Sequence, residues 1–533
     1  MDGTVRDYPW LARLLDAAAY PDDPGAAGGI ARVDTHISHV FLTAGHVYKL
    51  RRPVKLAFLD FSDPGERLAD SVREIALNRR LAPDVYLGIA PVIFDGERVR
   101  IGAISDGPSS DPLAVEHCVV MRRLAEGRDL RSLVERGAVT VSQIDRIAVR
   151  LAAFHHEHSL GAPAPFASEE WLARTTGPAR ANVDALRAAP HEIAPPDEVE
   201  ELRRRAGELV AARREDFEAR RTRGRVVDGH GDLHSEHVWF ERDESDPVMI
   251  DCIEFREDFR RIDAASDAAF LAMDLTYRGR GDLAGRFLRR YAAASGDYHL
   301  FSVVDYFLSY RALVRAKVAS LVAVDRTLPD EQRAHAKDST REHLDLGFRF
   351  LEPRGPGAVV LLCGMIGTGK TTVAEAIADA TGGVVISSDR VRRHVSAPSG
   401  GGSYAQGRYS DAGRAAIYGR MLEEARHVVV SGRTAILDAT YSRRAWRDAA
   451  AQWAREHDVR CMLVEVVAPR EEILERLAER AAAGNDASEA GPGLYDSIRA
   501  EFEEPVEWSG GIRIDTSSSS WQEGVRAAAS RVR

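Results

Sequence analysis

The sequence predicts a two-lobed α+β unit, β-rich first and helical second, followed by an α/β unit with a parallel sheet. Three observations predict it. From about Arg32 to Ile104 the chain runs in short alternating or β-branched segments, ARVDTHISHVFLT, HVYKL, APVIFDG and RVRIGAI, interrupted by one helical stretch, ERLADSVREIALNRRLA. After CVVMRRL, Cys118 to Leu124, apolar residues recur at three and four spacing through VSQIDRIAVRLAAFHHEH and EELRRRAGELVAARREDFEAR. Beyond the Pro/Gly break LEPRGPG, Leu351 to Gly357, the apolar runs AVVLLCG, GGVVIS, TAILDAT, RCMLVEVV and GIRIDT alternate with helical segments, the pattern of a parallel sheet covered on both faces.

These breaks set the expected domains: 1–352, with a first lobe to about 124 and a second from 125 to 352, and then 358–533. At 533 residues the chain is too long for a single ordinary core. Hydrophobic residues at 44% and charged residues at 29% exclude a disordered chain. Acidic residues outnumber basic ones by 82 to 72, so no global positive field draws the protein to nucleic acid or anionic lipid. The N-terminal MDGTVRDYPWLARLLDAAAY reads as an amphipathic helix and not as a signal segment, and no run reaches about 18 apolar residues, so no membrane span is expected. Cys118, Cys252, Cys363 and Cys461 stand singly in apolar runs, as buried, reduced thiols of a cytoplasmic protein would.

Two stretches carry chemistry. GMIGTGKTT, Gly364 to Thr372, fits GxxxxGK[ST], follows a strand and opens a helix. There the backbone of Gly364, Gly367, Thr368 and Gly369 can wrap phosphates at a helix N-terminus that extends through Thr372, Lys370 can reach the outer phosphates, and Thr371 can offer its hydroxyl to Mg²⁺. Two acidic strand ends lie in the same unit. Asp389 in VISSDRVRRH can take a proton from a substrate hydroxyl, and Asp438 in AILDAT can orient Mg²⁺, although each also suits a helix cap. Arg476 and Arg480 share a helix face before the Gly/Ala-rich stretch Ala481 to Gly493, which reads as a flap from which they can reach transferring phosphate; GSYAQG, Gly402 to Gly407, reads as a second loop.

The other stretch is HGDLHSEHVWF, His230 to Phe240, followed by MIDCIEF, Met249 to Phe255. Phosphoryl transfer needs one carboxylate near the attacking hydroxyl and another on the metal, and Asp232 and Asp251 meet that need. Lys49 in HVYKL is the candidate cation over the phosphates, and Glu74 on the following helix can pair with it.

On these residues, 30 to 350 resembles the aminoglycoside phosphotransferase-like kinases, and 358 to 533 resembles P-loop kinases of small molecules: the shikimate and gluconate kinase group, zeta toxins and phage polynucleotide kinases. The whole chain resembles bacterial proteins that fuse the two types. The resemblance implies a bilobal protein kinase-like domain followed by a P-loop kinase domain, with ATP and Mg²⁺ as cofactors and Asp389 as general base. It further implies Arg392 or Arg393 as a substrate or phosphate contact, structural roles for Asp263 and Asp267, and backbone near Met121 to Leu124 holding adenine. In one respect the sequence departs from the family. Five residues after Asp232 the family has asparagine, an oxygen ligand for Mg²⁺; here His237 stands, so either Glu236 or water replaces that oxygen, or the lobe binds nucleotide with little turnover.

Three features read as bland: His155-His156-Glu157-His158 as the exposed end of a supporting helix, EARRTRGR (Glu218 to Arg225) as a solvated turn, and Trp171 as core. The expected activity is a two-site, bifunctional ATP-dependent phosphotransferase acting on a small-molecule hydroxyl, such as a sugar, amino sugar or antibiotic. Two alternatives remain at this stage: a C-terminal polynucleotide 5′-hydroxyl kinase, against which the net charge argues, and a nucleotide-sensing or toxin-neutralising module. The acceptor pocket is expected from the insertion Ala167 to Arg221 and loops such as Gly400 to Ser410.

Overall fold

The computed structural model describes residues 8–56, 59–394, 411–483, 495–508 and 510–532. Residues 1–7 of the expected N-terminal helix, the loop 400–410 and most of the flap (484–493) lie outside them. The chain packs as two compact units, one of residues 1–150, 154–165 and 224–271, the other of 151–153, 166–223 and 272–533.

In the first unit, six strands form one antiparallel sheet: β1 (Ala31–Asp34), β2 (Ser38–Leu42), β3 (His46–Arg51), β6 (Tyr86–Phe94), β7 (Val99–Ile101) and β8 (Ala114–Arg122), in the order β1-β2-β3-β8-β6-β7. A short ladder, β4 (Lys55–Leu56) with β5 (Leu59–Asp60), follows β3. Helix α1 (Pro64–Asn78) starts where Asp63 accepts a hydrogen bond from Gly65 N and Pro64 occupies the first turn. Where a single amphipathic N-terminal helix was expected, the described residues form two 3₁₀ turns, Leu11–Leu15 and Ala17–Ala19, which bury Leu11, Leu14 and Ala19 in the cluster behind the sheet. Asp16, in an extended conformation, ends the first turn and caps the second, its side chain accepting from Ala18 N at 3.0 Å.

Helices α2 (Leu130–Glu135) and α3 (Val141–Glu157) follow, the latter opened by a reciprocal Thr140–Gln143 capping box. The segment 226–263 carries two small antiparallel ladders, β9 (Val226–Asp228) with β12 (Arg261–Asp263), and β10 (Val238–Trp239) with β11 (Val248–Met249).

The second unit holds α4 (Ser168–Arg187), α5 (Pro196–Ala212), α6 (Arg214–Thr222), α8 (Gly281–Ser295), α9 (Val304–Val324), α10 (Asp330–Phe350) and the end of α7 (Ala264–Tyr277), whose first turns, to Leu271, belong to the first unit. It also holds a parallel sheet of β13 (Ala358–Cys363), β14 (Val384–Ser387), β15 (Ala435–Asp438), β16 (Arg460–Val467) and β17 (Ile512–Asp515), ordered β14-β15-β13-β16-β17. Around it lie α11 (Lys370–Thr381), α12 (Ser388–His394), α13 (Asp411–Val429), α14 (Arg444–Glu456), α15 (Arg470–Ala483), α16 (Tyr495–Glu501) and α17 (Trp521–Val532). Every residue of β13 is buried, as a central strand covered on both faces requires, and each large aliphatic side chain there contributes about 1.5–3 kcal/mol of burial.

Two of the bland readings change. Arg220 is fully buried and makes a two-pronged ion pair with Asp297, at 3.0 and 2.8 Å, so Glu218–Arg225 is the end of a helix with one arginine turned inward and not a solvated turn. His155 is buried as well, because its ring packs beneath the catalytic loop, while His156 and Glu157 stay exposed. Trp171 is core, donating its indole N–H to Phe217 O at 2.9 Å. Cys118, Cys252 and Cys363 are buried, Cys461 is partly so, and all four are free thiols.

Candidate functional site

The first site grows from the alternation of β3. Lys49 and Arg51, two residues apart, leave the strand on one face and meet α1. Lys49 Nζ donates to Glu74 Oε1 at 2.8 Å and to Asp251 Oδ1 at 3.1 Å. Burial opposes its charge, but the carboxylates of Asp251 and Glu74 more than offset this and hold the ammonium above its usual range. Lys49, in turn, is the main reason that Asp251 stays well below the carboxylate range.

Behind them Arg51, 1% exposed, reaches Asp70 Oδ2 at 2.7 Å, Glu74 Oε2 at 2.8 Å and Glu254. One guanidinium facing three buried carboxylates leaves negative charge in excess. Burial accordingly pushes the Glu254 carboxyl up to about 7, against the pull of Arg51, and raises Asp70 too. Asp251 itself sits at φ 64, a left-handed conformation uncommon for a residue with a side chain, and its N–H donates to Tyr86 Oη at 3.1 Å.

The loop that begins at His230 is fixed by a carboxylate beneath it. Asp267, fully buried on α7, accepts from His230 N at 2.7 Å and Gly231 N at 2.9 Å, and pairs with His155 Nε2 at 3.0 Å. Gly231 has φ 85, and a Cβ there would stand 2.7 Å from Phe259 O, so only glycine fits the turn. The turn brings Asp232 beside two histidines: His234 Nε2 lies 3.7 Å and His237 Nδ1 3.9 Å from Asp232 Oδ2. His237 Nε2 lies 3.5 Å from Asp251 Oδ2. Glu236, expected as a substitute metal oxygen, pairs instead with Arg131, because the 3₁₀ turn Ser235–His237 carries it to that neighbour on α2. In the segment Met121 to Leu124, the N–H groups of Arg122 and Arg123 are engaged by Val85 O and Gly45 O.

The second site lies where three parallel strands end together. Leu362 of β13 and Ser387 of β14 both register with Asp438 of β15. The glycine loop after β13, Asp389 just past β14 and Asp438 therefore share one sheet edge, the carboxyl end at which ligands of such sheets bind. A Cβ on Gly364 (φ 153) would stand 2.2 Å from Val466 O, so the loop leaves its strand only through glycine. Gly367 and Gly369 continue it into α11, and buried Thr368 closes it by donating its hydroxyl to Met365 O at 2.8 Å.

Lys370 Nζ donates to Met365 O at 2.7 Å, and Thr371 Oγ1 to Asp438 Oδ2 at 2.8 Å; Thr371 and Thr372 are exposed. Burial lowers Lys370 from its ordinary range against the opposing carboxylate of Asp438, and burial raises Asp438 against the opposing ammonium. Asp389 Oδ1 accepts from Arg392 at 2.7 Å and acts electrostatically on both Lys370 and Asp438. Arg480, exposed on α15, acts on Lys370 as well, whereas Arg476 is tied to Thr516 Oγ1 at 2.8 Å and to Glu472.

Residues missed by sequence reasoning are Arg51, Asp70, Glu254, Tyr86 and Thr516. Two of them carried a signal. Arg51 follows Lys49 by one strand period, and Asp70 precedes Glu74 by one helical turn; nothing local marked Tyr86 or Thr516.

Residues 46–301 match a family model described as Phosphotransferase enzyme family, and residues 359–505 match one described as AAA domain. An uncharacterized protein of Mycobacterium tuberculosis is 31% identical over 523 residues, 96% of this chain and 96% of its own. One from Mycobacterium bovis gives the same figures. The chain belongs to this family of fused kinase-like proteins. Among solved structures, choline kinase from Cryptosporidium parvum is similar at 11% identity, covering 64% of this chain and 96% of its own, with a TM-score of 0.36. A gluconokinase from Sinorhizobium meliloti is similar at 21% identity over 34% of this chain and 94% of its own, with a TM-score of 0.25. The fusion family thus joins a phosphotransferase-type domain to a P-loop kinase-like domain, and both are folds of nucleotide-dependent phosphoryl transfer. No helix among the described residues is long and apolar enough to cross a membrane.

Proposed function

We propose that the chain is a bifunctional ATP- and Mg²⁺-dependent phosphotransferase, with a nucleotide site in each kinase-like domain, and that it phosphorylates hydroxyl groups of small molecules such as sugars, amino sugars or antibiotics in the cytoplasm. The observation that carries this reading is common to both sites. A lysine lies in the field of a carboxylate suited to hold a cation, Lys49 with Asp251 and Lys370 with Asp438, and a further aspartate stands in the same site, Asp232 or Asp389.

ATP supplies the transferred phosphoryl group, and the divalent cation neutralises charge on its phosphates. In the first site Glu74 aims Lys49 at the phosphates, Asp251 holds the cation, and Asp232 takes the proton of the incoming hydroxyl. In the second site Gly364, Gly367, Thr368 and Gly369 present backbone N–H groups at the start of α11. Lys370 binds the outer phosphates, Thr371 and Asp438 hold the cation, Thr372 extends the helix start, and Arg480 meets the charge that develops on transfer. Asp389 is the base there, with Arg392 setting its direction.

The test is product mass and ATP consumption over a panel of sugars, amino sugars, aminoglycosides and oligonucleotides, with Asp232→Asn and Asp389→Asn made separately. Each substitution should remove one activity by about 10²–10⁴-fold and spare the other. Unchanged turnover in both variants would overturn the assignment, and phosphorylated oligonucleotide as the main product would move the second site to the polynucleotide kinase reading.

A further inference from the structure

We propose that the first site is built for a divalent cation that accepts nitrogen, of the Mn²⁺ class of first-row transition metals rather than Mg²⁺, with His237 Nε2 and Asp251 Oδ2 as its protein ligands. This rests on the nucleotide-site reading above and deepens it.

His237 Nδ1 lies 2.8 Å from the main-chain oxygen of Asp232, and a carbonyl only accepts, so Nδ1 carries the hydrogen. In the neutral ring the lone pair is then on Nε2, which faces Asp251. A histidine that donates one ring N–H to a backbone carbonyl while its other nitrogen faces a carboxylate has the arrangement that orients imidazole ligands on metals.

Distance agrees with this. Two donors each about 2.1 Å from one ion in adjacent octahedral positions are about 3.0 Å apart; His237 Nε2 and Asp251 Oδ2 are 3.5 Å apart, near enough for a small side-chain shift to bring both onto one ion. The other Asp251 oxygen is held by Lys49 at 3.1 Å, so the carboxylate is split between an ammonium and the imidazole side. The strained φ of Asp251 and the Tyr86 hydroxyl on its N–H fix it in that pose.

The surroundings favour nitrogen further. His234 packs against His237 with ring centroids 3.9 Å apart and planes tilted by 37°, and the donor atoms of Asp232, His234 and His237 lie within 4.8 Å of one another. Glu236, the extra hard oxygen of this loop, is engaged by Arg131. Mg²⁺ asks for oxygen in a strict octahedron and yields water reluctantly, whereas first-row transition ions take imidazole more readily, and Mn²⁺, at the weak end of that series, keeps the octahedral oxygen chemistry a triphosphate needs.

The test is pulsed electron paramagnetic resonance on the full-length protein loaded with Mn²⁺ and a non-hydrolysable ATP analogue, reading the modulation from directly bound ¹⁴N. Among the described residues the second site offers oxygen from Thr371 and Asp438, while Asp216, His299 and His427 form another cluster that could supply imidazole, so it is loss of the nitrogen signal in His237→Asn that assigns it to the first site. Wild type should show imidazole nitrogen on Mn²⁺, and His237→Asn should lose it and move the Mn²⁺-over-Mg²⁺ preference at this site by about 10-fold or more toward Mg²⁺. Asp251→Asn should also weaken Mn²⁺ binding there, while thermal unfolding shows that both variants are folded. Mn²⁺ bound without ¹⁴N coupling in wild type, or coupling that survives in His237→Asn, would overturn the proposal. Failure here leaves phosphotransfer with Mg²⁺ intact; a nitrogen signal without turnover on any acceptor would instead sink the functional reading and keep the metal site.

Discussion

The two sites solve one problem with different materials. The first joins side chains far apart in the sequence: Lys49 meets Asp251 across 202 positions, and Arg51 meets Glu254 across 203. The second is mostly backbone, a glycine loop and two strand ends brought to one edge by parallel register. The first therefore depends on a buried balance of charge, and the second on conformations that only glycine adopts.

That contrast can be broken most forcefully at Arg51. Arg51→Met leaves three buried carboxylates without their shared cation and should destabilise the first unit by about 3–5 kcal/mol in chemical denaturation. Thr371→Val in the second site removes one hydrogen bond to Asp438 and should cost only about 1 kcal/mol while weakening cation-dependent nucleotide binding. If both behave alike, the distinction fails. A smaller loss, about 1–3 kcal/mol, is expected for Asp267→Asn, which removes charge from an acceptor of two loop N–H groups; nucleotide binding at the first site should fall with it, and binding at the second should not.

A pH titration sharpens the comparison at lower amplitude. Burial lowers His230 to about 4, and burial followed by the neighbouring His299 lowers His427 to about 3. Both are neutral in the folded protein while the unfolded chain takes up protons near 6.5. Stability contributed by each is full above that value and falls as pH drops from about 6.5 toward 4, by up to about 1.4 kcal/mol per pH unit per group. His427→Gln should flatten that slope in unfolding curves taken between pH 7.5 and 5. Smallest of all, Lys55→Met removes an exposed ion pair with Asp60 and should not move the midpoint measurably.

The same contrast explains what the sequence made legible. A backbone-built site writes itself locally: GMIGTGKTT fixes its own turn, and the three apolar runs AVVLLC, VVIS and AILD announce strands whose ends align. The catalytic loop was readable for the same reason, since HGD occupies consecutive positions. Charge balance is not written locally. That Glu254 would turn to Arg51, Arg220 to Asp297 and His155 to Asp267 depends on how distant segments pack, so the last two were read as solvated. His237 lies between these cases, visible as a departure from asparagine, while the tautomer that gives it a role came only with the position of the Asp232 carbonyl.

The central claim, that one chain builds two independent nucleotide cradles, is tested most directly by counting bound ATP analogue per chain in calorimetry. Two sites are predicted for wild type, one each for Lys49→Met and Lys370→Met, and none for the double variant. A single site in wild type, or two sites remaining in either lysine variant, would contradict it.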